Sequence, residues 1–388
     1  MYKLAVWPWN LLPLTDAAAG PVMGNSRFDV VVVGGGPGGA TAARLIAAAG
    51  GKVLLLEKAR IGRDKPCGGG LTPRSYRHLD VPIDDLVNCR IRHADLRHRP
   101  TTTLLVDLGE DAVVMVRRRE FDRRLVESAG AAGAEVHDLE PATAIEEGTD
   151  GNGAMTVRSR RASYDADVVL LATGAEAPLS GGVGLEGRRA KMAVALELEG
   201  EAMCSRLDGS SFVFDYAVPG GYAWAFPKGD WWNVGILSSQ PRRGTELRGR
   251  LGTFMEQIGI SFAEPDFVAR RAPGRRIPMW TAPGELHRGR LALVGDAAGL
   301  ADPLFGEGIA QALASGRLAA EGALEVIAGR AADMAPYSRK VQTALGKHLK
   351  RTRQTARLLY AMPAVSIRTL SILSFARRVA THVATEPF

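Results

Sequence analysis

Three glycines near the start of the chain are spaced for a turn in which the backbone comes close to a ligand. Gly34, Gly36 and Gly39 follow the β-branched run Phe28–Val33, and Glu57 ends the next apolar run. A dinucleotide-binding fold has its elements in this order: a strand, a G-x-G-x-x-G turn, a helix, a second strand and an acidic residue. In it Gly34 allows the tight turn, Gly36 lets backbone N–H groups approach a pyrophosphate, and Gly39 lets helix pack on strand. The helix N-terminus adds positive charge, and Glu57 is placed to accept from a ribose hydroxyl.

A second glycine-rich segment lies more than 250 residues further on. The apolar run 290–294 leads into Gly295-Asp296, and after Pro303 the residues Gly306–Ile309 open a long helical pattern. Two helices that each begin after a glycine-rich segment, this far apart in sequence, predict a ligand long enough to touch both N-termini. Such a ligand favours FAD over NAD. Asp296 could bind a polyol chain. The amides of Gly306–Ile309 could cradle the edge of a flavin ring that becomes anionic on reduction.

The order of these motifs resembles the FAD-dependent superfamily with the para-hydroxybenzoate hydroxylase fold. Its R-x-x-F-D…L…G-A-E segment is similar to Arg118–Asp122, Leu125 and Gly133–Glu135. The resemblance implies that Arg118 contacts FAD and that Val136 lies on the strand near the adenine. The motifs and the resemblance together predict these FAD contacts: Gly34, Gly36, Pro37, Gly38, Gly39, Ala40, Glu57, Lys58, Cys67, Gly68, Arg118, Val136, Gly295, Asp296, Pro303, Gly306, Gly308 and Ile309.

Two further motifs resemble the geranylgeranyl reductase branch of that superfamily. Lys65–Leu71 is similar to its K-x-C-G-G-g-L motif, and Tyr222–Pro227 with Gly235 is similar to Y-x-W-x-F-P…G. The segment Gly306–Ile309 fits as well, and the matching blocks run over about residues 27–330. The resemblance implies an FAD-dependent oxidoreductase that reduces C=C bonds of a polyprenyl group on a lipid, a quinone or a prenyl diphosphate.

The residues themselves agree with a large apolar substrate. Eight of the 24 aromatic residues fall between Phe212 and Trp232, where alternating aromatics on either side of a Pro-Gly-Gly turn predict a hairpin with one aromatic face. Such a face favours a pocket wall for a flexible apolar chain. The alternative is that these aromatics only pack a sheet against helices.

The predicted catalytic residues are Cys67, Tyr222 and Trp224, from the two reductase-like motifs. Reducing an isolated C=C bond needs a hydride from N5 of reduced flavin and a proton on the other carbon. Cys67 and Tyr222 are the candidate proton donors. Alternatively, Cys67 is only a small side chain required in a tight loop over the flavin. Cys89 and Cys204 are expected to be core thiols, and no spacing of His or Cys predicts a metal site.

The electron donor is left open by one departure from the superfamily pattern. Many relatives have an Asp-Gly pair after the strand that 167–171 is predicted to form, and here Thr173-Gly174 stands in that place. This departure weakens the prediction of direct NADPH docking. Electrons are therefore expected from NAD(P)H or from ferredoxin or another reductase.

Two other functions remain as alternatives. The first is a flavin monooxygenase or halogenase of the same fold, although Tyr222–Pro227 departs from the halogenase W-x-W-x-I-P motif at two places and Thr173 replaces the Asp that hydroxylases carry. The second is a non-enzymatic carrier of lipid or flavin. It is the weaker one, because flavin contacts at both chain ends make little sense without redox chemistry.

The formal charge of +7 is concentrated at one end of the chain. Residues 334–388 contain ten basic residues and one acid, a net +9, so the rest carries −2. A nearly neutral body excludes a protein that coats nucleic acid. The basic end is expected to form short amphipathic helices on an anionic membrane surface, or to cover the substrate domain with its apolar side. The scattered cysteines favour a cytoplasmic protein. If the basic end binds an anionic membrane surface, the protein would lie peripherally on the inner face of the membrane.

These elements predict an α/β fold in which a Rossmann-like FAD-binding domain is interleaved with an antiparallel-sheet substrate domain, followed by C-terminal helices. The FAD-binding domain is predicted to take residues 27–90, 110–178 and 275–330, and the substrate domain 91–109 and 179–274. The remainder is a basic helical region over 331–388 and an N-terminal extension over 1–26. The extension is expected to reflect a misassigned start, with translation beginning at Met23, and a secretion signal is the alternative.

Overall fold

The computed structural model describes residues 26–99, 101–109, 113–147, 154–176, 179, 185, 191–204, 207–240, 244–262 and 274–372. Apart from Ser26, the predicted N-terminal extension lies outside the described residues, as does the last part of the basic end, residues 373–388.

The strands are numbered in chain order: β1 Ser26–Val33, β2 Val53–Leu56, β3 Gly70–Leu71, β4 Val87–Ile91, β5 His93–His98, β6 Thr102–Asp107, β7 Val113–Val116, β8 Glu135–His137, β9 Ala142–Glu147, β10 Met155–Ser159, β11 Ser163–Leu171, β12 Lys191–Cys204, β13 Ser211–Asp215, β14 Gly221–Lys228, β15 Trp231–Ser238, β16 Ser261–Phe262, β17 Gly274–Met279, β18 His287–Arg288 and β19 Leu291–Leu293. The helices are α1 Pro37–Ala48, α2 Pro73–Arg77, α3 Arg118–Ala131, α4 Gly244–Ile258, α5 Ile309–Ile327, α6 Ala335–Ala361 and α7 Pro363–Ile372. Short 3-10 helices cover Asp84–Leu86 and Gly295–Ala298.

The first sheet is built around buried parallel strands. Its order is β18-β19-β11-β1-β2-β8, in which β19, β11, β1, β2 and β8 run parallel. Val30–Val33 and Val53–Leu56 are at most 5% exposed. Strands covered on both faces read as continuous apolar runs, which is why these two segments lack alternation. Helix α1 contacts both α3 and α5 beside this sheet. Strands β9 and β10 pair antiparallel and extend this sheet beside β11.

The second sheet has the order β16-β12-β15-β14-β13-β5-β6, with β17 beside β12. It is antiparallel apart from the β13–β5 pair. Because side chains alternate along a strand, the two faces differ. One face packs against α4 through aliphatic residues. The other carries the aromatic side chains and lies toward the first domain's loops. The predicted aromatic hairpin is confirmed as β13 and β14.

Segments of the two sheets alternate along the chain, as an interleaved architecture requires, and the predicted α/β fold class is confirmed. The segment 275–330, predicted to belong to the FAD-binding domain, begins with a strand of the second sheet, because β17 pairs along β12. A small third sheet, β3-β7-β4, joins the two parts. The exact domain limits stay a prediction.

The C-terminal helices pack on the body instead of standing apart. Helix α6 is one continuous helix through Arg351–Ala361, longer than the short helices expected, and the break falls before Pro363. Its buried stripe recurs every three or four residues and includes Tyr337, Val341, Leu345 and Leu349. In the described part of the chain, no helix is long and apolar enough to cross a membrane.

Candidate flavin and substrate site

The glycine turn after β1 is built so tightly that side chains are excluded. Gly34 has a φ of +110°, and a Cβ on it would lie 2.4 Å from the carbonyl oxygen of Ala172. A Cβ on Gly39 would lie 2.0 Å from the carbonyl oxygen of Gly34. At Gly36, by contrast, an added Cβ would meet nothing within 4 Å. The turn and helix start are therefore closely packed on the protein side and open at Gly36, as a pyrophosphate-binding turn must be.

Glu57 holds this turn in shape. Its carboxylate is 5% exposed and accepts hydrogen bonds from the Gly35 amide at 2.7 Å and from the Ala59 amide at 3.0 Å. A carboxylate has further lone pairs, so the predicted ribose contact stays compatible with these bonds. Lys58 is exposed and lies 3.9 Å from Glu176, and Val136 is partly buried on β8, beside β2.

The second glycine segment meets the first. A Cβ on Gly38 would lie 2.8 Å from both Val294 Cγ1 and the Ala312 carbonyl oxygen, and one on Gly316 would lie 2.2 Å from the Gly38 carbonyl oxygen. Helices α1 and α5 thus pack closely just behind their N-termini. The structure therefore brings the two predicted ligand-binding helix starts together, with Pro37 and Ala40 on one and Ile309 on the other.

The loop before α5 is fixed by the buried Asp302. Its Oδ1 accepts from the amides of Leu304 at 2.7 Å and Phe305 at 3.1 Å, and its Oδ2 lies 3.1 Å from Nε2 of His348 on α6. Burial would raise the pKa of Asp302, but these partners, His348 first, lower it. The remaining predicted contacts of this segment, Gly295, Asp296, Pro303, Gly306 and Gly308, lie on or beside this loop. A Cβ on Gly308 would lie 2.8 Å from Asp296 Oδ1.

Arg118 lies at the start of α3 in a buried ion pair. Its Nε and Nη2 donate to the two carboxylate oxygens of Asp122 at 2.8 and 2.9 Å, and both side chains are about 5% exposed or less. Burial alone would lower the pKa of Arg118, but Asp122 and Cys67 raise it. Lys65 lies in the same cluster, where burial and then the charge of Arg118 lower its pKa. These side chains form a cationic group beside the loop that contains Cys67.

The Cys67 loop lies against the end of β14. A Cβ on Gly68 would lie 2.9 Å from Cδ2 of Phe226, and one on Gly69 would lie 2.2 Å from the Val116 carbonyl oxygen. Lys228 donates from Nζ to the Cys67 carbonyl oxygen at 3.2 Å. The structure thus brings together the two motifs that carry the reductase resemblance, 155 residues apart in sequence from Cys67 to Tyr222.

Six of the eight clustered aromatics form one continuous wall on the second sheet. Their ring centroids lie 4.4 to 6.3 Å apart: Phe212, Phe214, Tyr216, Tyr222, Trp224 and Phe226. The other two do not belong to it, because Trp232 packs on the opposite face and Trp231 lies 4.2 Å under the Arg117 guanidinium.

The wall is anchored by hydrogen bonds at two points. Tyr222 donates its hydroxyl to the Phe305 carbonyl oxygen, and Trp224 donates its indole N–H to Oδ1 of Asn233 at 2.7 Å. Burial raises the pKa of Tyr222 well above 10. The Tyr222 hydroxyl proton is therefore held by the backbone of the flavin-side loop, which fits a residue that joins the wall to that loop.

A polar network that the sequence motifs did not indicate lies at the edge of the wall. Lys228 donates to Oε2 of Glu199 at 2.5 Å, and Asn233 donates to the same oxygen at 3.0 Å. Glu197 lies next to them, 8% exposed, and burial raises its pKa to about 7. One sequence signal could have identified this network. Glu197 and Glu199 alternate in phase with Ala193 and Ala195, which point to the inner face of the sheet, so two acids were to be expected on a buried face.

Lys228 is expected to hold the Cys67 loop closed. Replacing it with methionine keeps the apolar stem but removes a charged hydrogen bond of about 1.5–3 kcal/mol, so the loop should open at least about tenfold more often. We expect the Cys67 thiol to react about tenfold faster with a thiol reagent, measured in a background where Cys89 and Cys204 are serine. Exposed Lys191→Met is the control. An unchanged rate would contradict this role for Lys228.

Taken together, the glycine turn, the acid that closes β2 and the second glycine-gated helix define the class: an FAD-dependent oxidoreductase. A family model described as pyridine nucleotide-disulphide oxidoreductase matches residues 28–201. Among solved structures, a geranylgeranyl bacteriochlorophyll reductase-like protein from Thermoplasma acidophilum aligns with a TM-score of 0.80 and 26% identity over 92% of this chain and 96% of its own.

The particular family is shown by curated relatives. Digeranylgeranylglycerophospholipid reductase of Thermoplasma acidophilum is 33% identical, over 71% of this chain and 72% of its own length. Geranylgeranyl diphosphate reductase of Rhodobacter capsulatus is 31% identical, over 73% of this chain and 72% of its own length. The chain belongs to the geranylgeranyl reductase family of FAD-dependent oxidoreductases.

Proposed function

We propose that this protein reduces C=C bonds of a polyprenyl chain. The hydride would come from reduced FAD, and a proton from the protein would reach the other carbon. The observation that carries the proposal is the contact between the Cys67 loop and the Phe226–Lys228 end of the aromatic wall. That contact puts a glycine-rich cofactor loop against a wide apolar surface, which suits a long hydrocarbon beside a flavin.

The roles we propose for the three candidate catalytic residues differ. Cys67, partly buried beside Arg118, would face the reacting carbons from the loop. Trp224 would form one wall of the space for the prenyl chain. Its ring covers Gly235 and is held in place by its hydrogen bond to Asn233. Tyr222 would hold the wall against the Phe305–Gly308 loop through its hydroxyl. Electrons would arrive from NAD(P)H or from ferredoxin or another reductase.

The names of the relatives point to two substrate classes. One group acts on a prenylated phospholipid and another on a prenyl diphosphate, by their names. A shared feature is the geranylgeranyl chain, which the aromatic wall would contact, whereas the head group would lie outside it. We therefore propose that the protein recognises the geranylgeranyl chain of its substrate. Phospholipid, diphosphate and quinone compounds that contain this chain are the ones to compare.

The proposal is tested by anaerobic reoxidation of the flavin. The FAD-loaded protein is reduced with dithionite, excess reductant is removed, and a geranylgeranyl compound is added without oxygen. We expect the absorbance of oxidised flavin to return within seconds to minutes, whereas the fully saturated phytanyl compound should leave the flavin reduced. Flavin that stays reduced with every unsaturated compound, yet is reoxidised by oxygen only when a substrate is present, would favour a monooxygenase instead.

We also propose that the corner between α6 and α7 contacts an anionic membrane surface. Three apolar side chains there are strongly exposed: Leu358 at 61%, Met362 at 51% and Val365 at 59%. Basic side chains flank them, with Arg351 two helical turns before Leu358 and Arg368 one turn after Val365, both exposed. Exposed apolar residues ringed by basic ones suit an interface with anionic headgroups, which attract each basic residue by about 1 kcal/mol.

Vesicle sedimentation tests this surface. We expect binding to vesicles that contain phosphatidylserine at low salt, loss of that binding at high salt, and little binding to purely zwitterionic vesicles. The double variant Leu358→Ser with Val365→Ser should lose most binding. The matched control, Met192→Ser with Met203→Ser, removes exposed apolar side chains on β12 and should bind as the wild type does. Absence of binding at low salt would mean that the basic end is only solvated.

A further inference from the structure

Glu197 lies where a carboxyl group is unusual, on the inner face of a sheet strand. Its neighbours in phase along β12 are Ala193 and Ala195, which are buried against the aromatic wall. Across the sheet Glu197 pairs with Gly235, and Gly235 pairs with Trp224. Directly opposed residues share a face, so Glu197 stands in the same row as Trp224. Gly235 has no side chain between them, and a Cβ there would lie 2.2 Å from Trp224 Cζ2.

Charged groups on three elements influence the Glu197 carboxyl group. Lys228 of β14, Glu199 of β12 and Arg118 of α3 act on it by their charges, and Asn233 of β15 lies in register with Glu199 on the same face of the sheet. The charge of Glu197 in turn acts on the hydroxyl of Tyr222. These are the groups that border the candidate catalytic residues, so Glu197 lies at the same site and not behind it.

Glu199, two residues further along β12, is the partly exposed member of this polar network. Glu199 has a side chain that is 29% exposed, while the Lys228 side chain is fully buried. Lys228 and Asn233 both donate to the same oxygen of Glu199. Glu199 is therefore hydrogen-bonded to both residues and is the solvent-accessible end of the network.

We infer that Glu197 is the group that donates the proton in the reduction of the prenyl double bond. This inference rests on the proposed function. In the balanced step, the π bond breaks, one carbon receives hydride from reduced FAD and the other receives the proton of the Glu197 carboxyl group. Bound FAD would supply the two electrons of the hydride, Glu197 becomes a carboxylate, and it regains a proton from solvent water. Tyr222 is less suited to this role, because its hydroxyl proton is engaged by the Phe305 carbonyl oxygen.

The pH profile tests the inference in the working enzyme. Because burial raises the pKa of Glu197 to about 7, its carboxyl group is protonated below that pH and ionised above it. Single-turnover reduction of a geranylgeranyl compound by the pre-reduced wild type should slow as pH rises through about 7. Glu197→Gln should slow it by about 100-fold or more at pH 6 and remove that pH dependence, whereas Glu197→Asp should recover part of the rate. Glu201→Gln, on an exposed position of the same strand, is the control that should behave as wild type.

A second readout needs no flavin. The folded-state pKa of about 7 exceeds the unfolded value of 4.5, so ionisation of Glu197 disfavours the folded state. This penalty is absent below about 4.5 and complete above about 7. The melting temperature of flavin-free Glu197→Gln, relative to wild type, should therefore rise between those pH values, while Glu201→Gln should track the wild type. Glu307 has a similarly raised pKa but is present in every variant and cancels in the difference.

The outcomes separate the inference from the proposed function. If wild type reduces no prenyl compound, the proposed function fails, and the inference fails with it. If wild type does reduce one, while Glu197→Gln keeps its rate and its pH profile, the inference is overturned and the proposed function stands. A melting difference that does not change with pH would likewise contradict the buried, proton-holding state that the inference requires.

Discussion

Replacing Gly36 with aspartate should strongly weaken FAD binding while the protein remains folded. Gly36 has an ordinary backbone conformation, with φ of −73°, and an added Cβ meets nothing within 4 Å. The fold therefore tolerates a side chain there. The open space in front of it is where the turn and the N-terminus of α1 would hold a pyrophosphate, and a carboxylate in that space both fills it and repels the phosphates.

We expect FAD affinity to fall by about 100-fold or more, equivalent to ~2.8 kcal/mol, as measured by fluorescence titration of the flavin-free protein. Circular dichroism should be unchanged. The matched control is Gly249→Asp, which places the same side chain on an exposed position of α4 where an added Cβ also meets nothing within 4 Å. Retained FAD affinity in Gly36→Asp would show that the cofactor does not bind at this turn.

Replacing Asp122 with asparagine should produce the largest loss of stability among single polar substitutions at the site. The variant keeps the shape of the side chain but leaves the charge of Arg118 without its partner in a buried position. Breaking a buried pair in this way costs about 3 kcal/mol. Chemical unfolding of the flavin-free protein measures it. The exposed pair of Asp85 with Arg124 supplies the control, Asp85→Asn, which should change stability little.

The same variant should alter the acid side of the stability profile. Burial opposes ionisation of Asp122, but Arg118 outweighs it and lowers the pKa of the carboxyl group. The contribution of the pair is then complete above the unfolded pKa of 3.8 and is lost as pH falls through the lower folded pKa. Asp122→Asn should therefore flatten this part of the profile. If Asp122→Asn and the wild type have the same unfolding free energy across that pH range, the pair contributes nothing to the stability of the folded state.

The parts of the fold that local sequence patterns dictate were predictable. The turn at Gly34–Gly39 needs glycine because neighbouring backbone atoms lie within 2.4 Å of any added Cβ at its two ends. Short β-branched runs such as Val30–Val33 are typical of central parallel strands. These features are encoded within a dozen residues, so sequence alone was sufficient for the α/β class and for the cofactor turn.

The substrate side was less accessible to such reasoning, because strand register decides it. Trp232 looked like a member of the aromatic wall but points to the opposite face, one residue out of phase with Asn233. The relation of Glu197 to Trp224 depends on Gly235, which lies between them on a third strand. Likewise, the contact of Lys228 with the Cys67 loop joins residues 161 apart, and only the tertiary structure supplies it.

The most direct test of the proposed function is the mass of the product. The FAD-loaded protein, kept reduced with dithionite under anaerobic conditions, would be incubated with geranylgeranyl diphosphate, a prenylated quinone and an unsaturated archaeal-type ether lipid. We predict that at least one of these gains two mass units for each double bond reduced, that Gly36→Asp yields no such gain, and that Gly249→Asp yields it as wild type does. Unchanged masses for all three compounds, with FAD bound and reduced, would contradict the assignment of prenyl reduction.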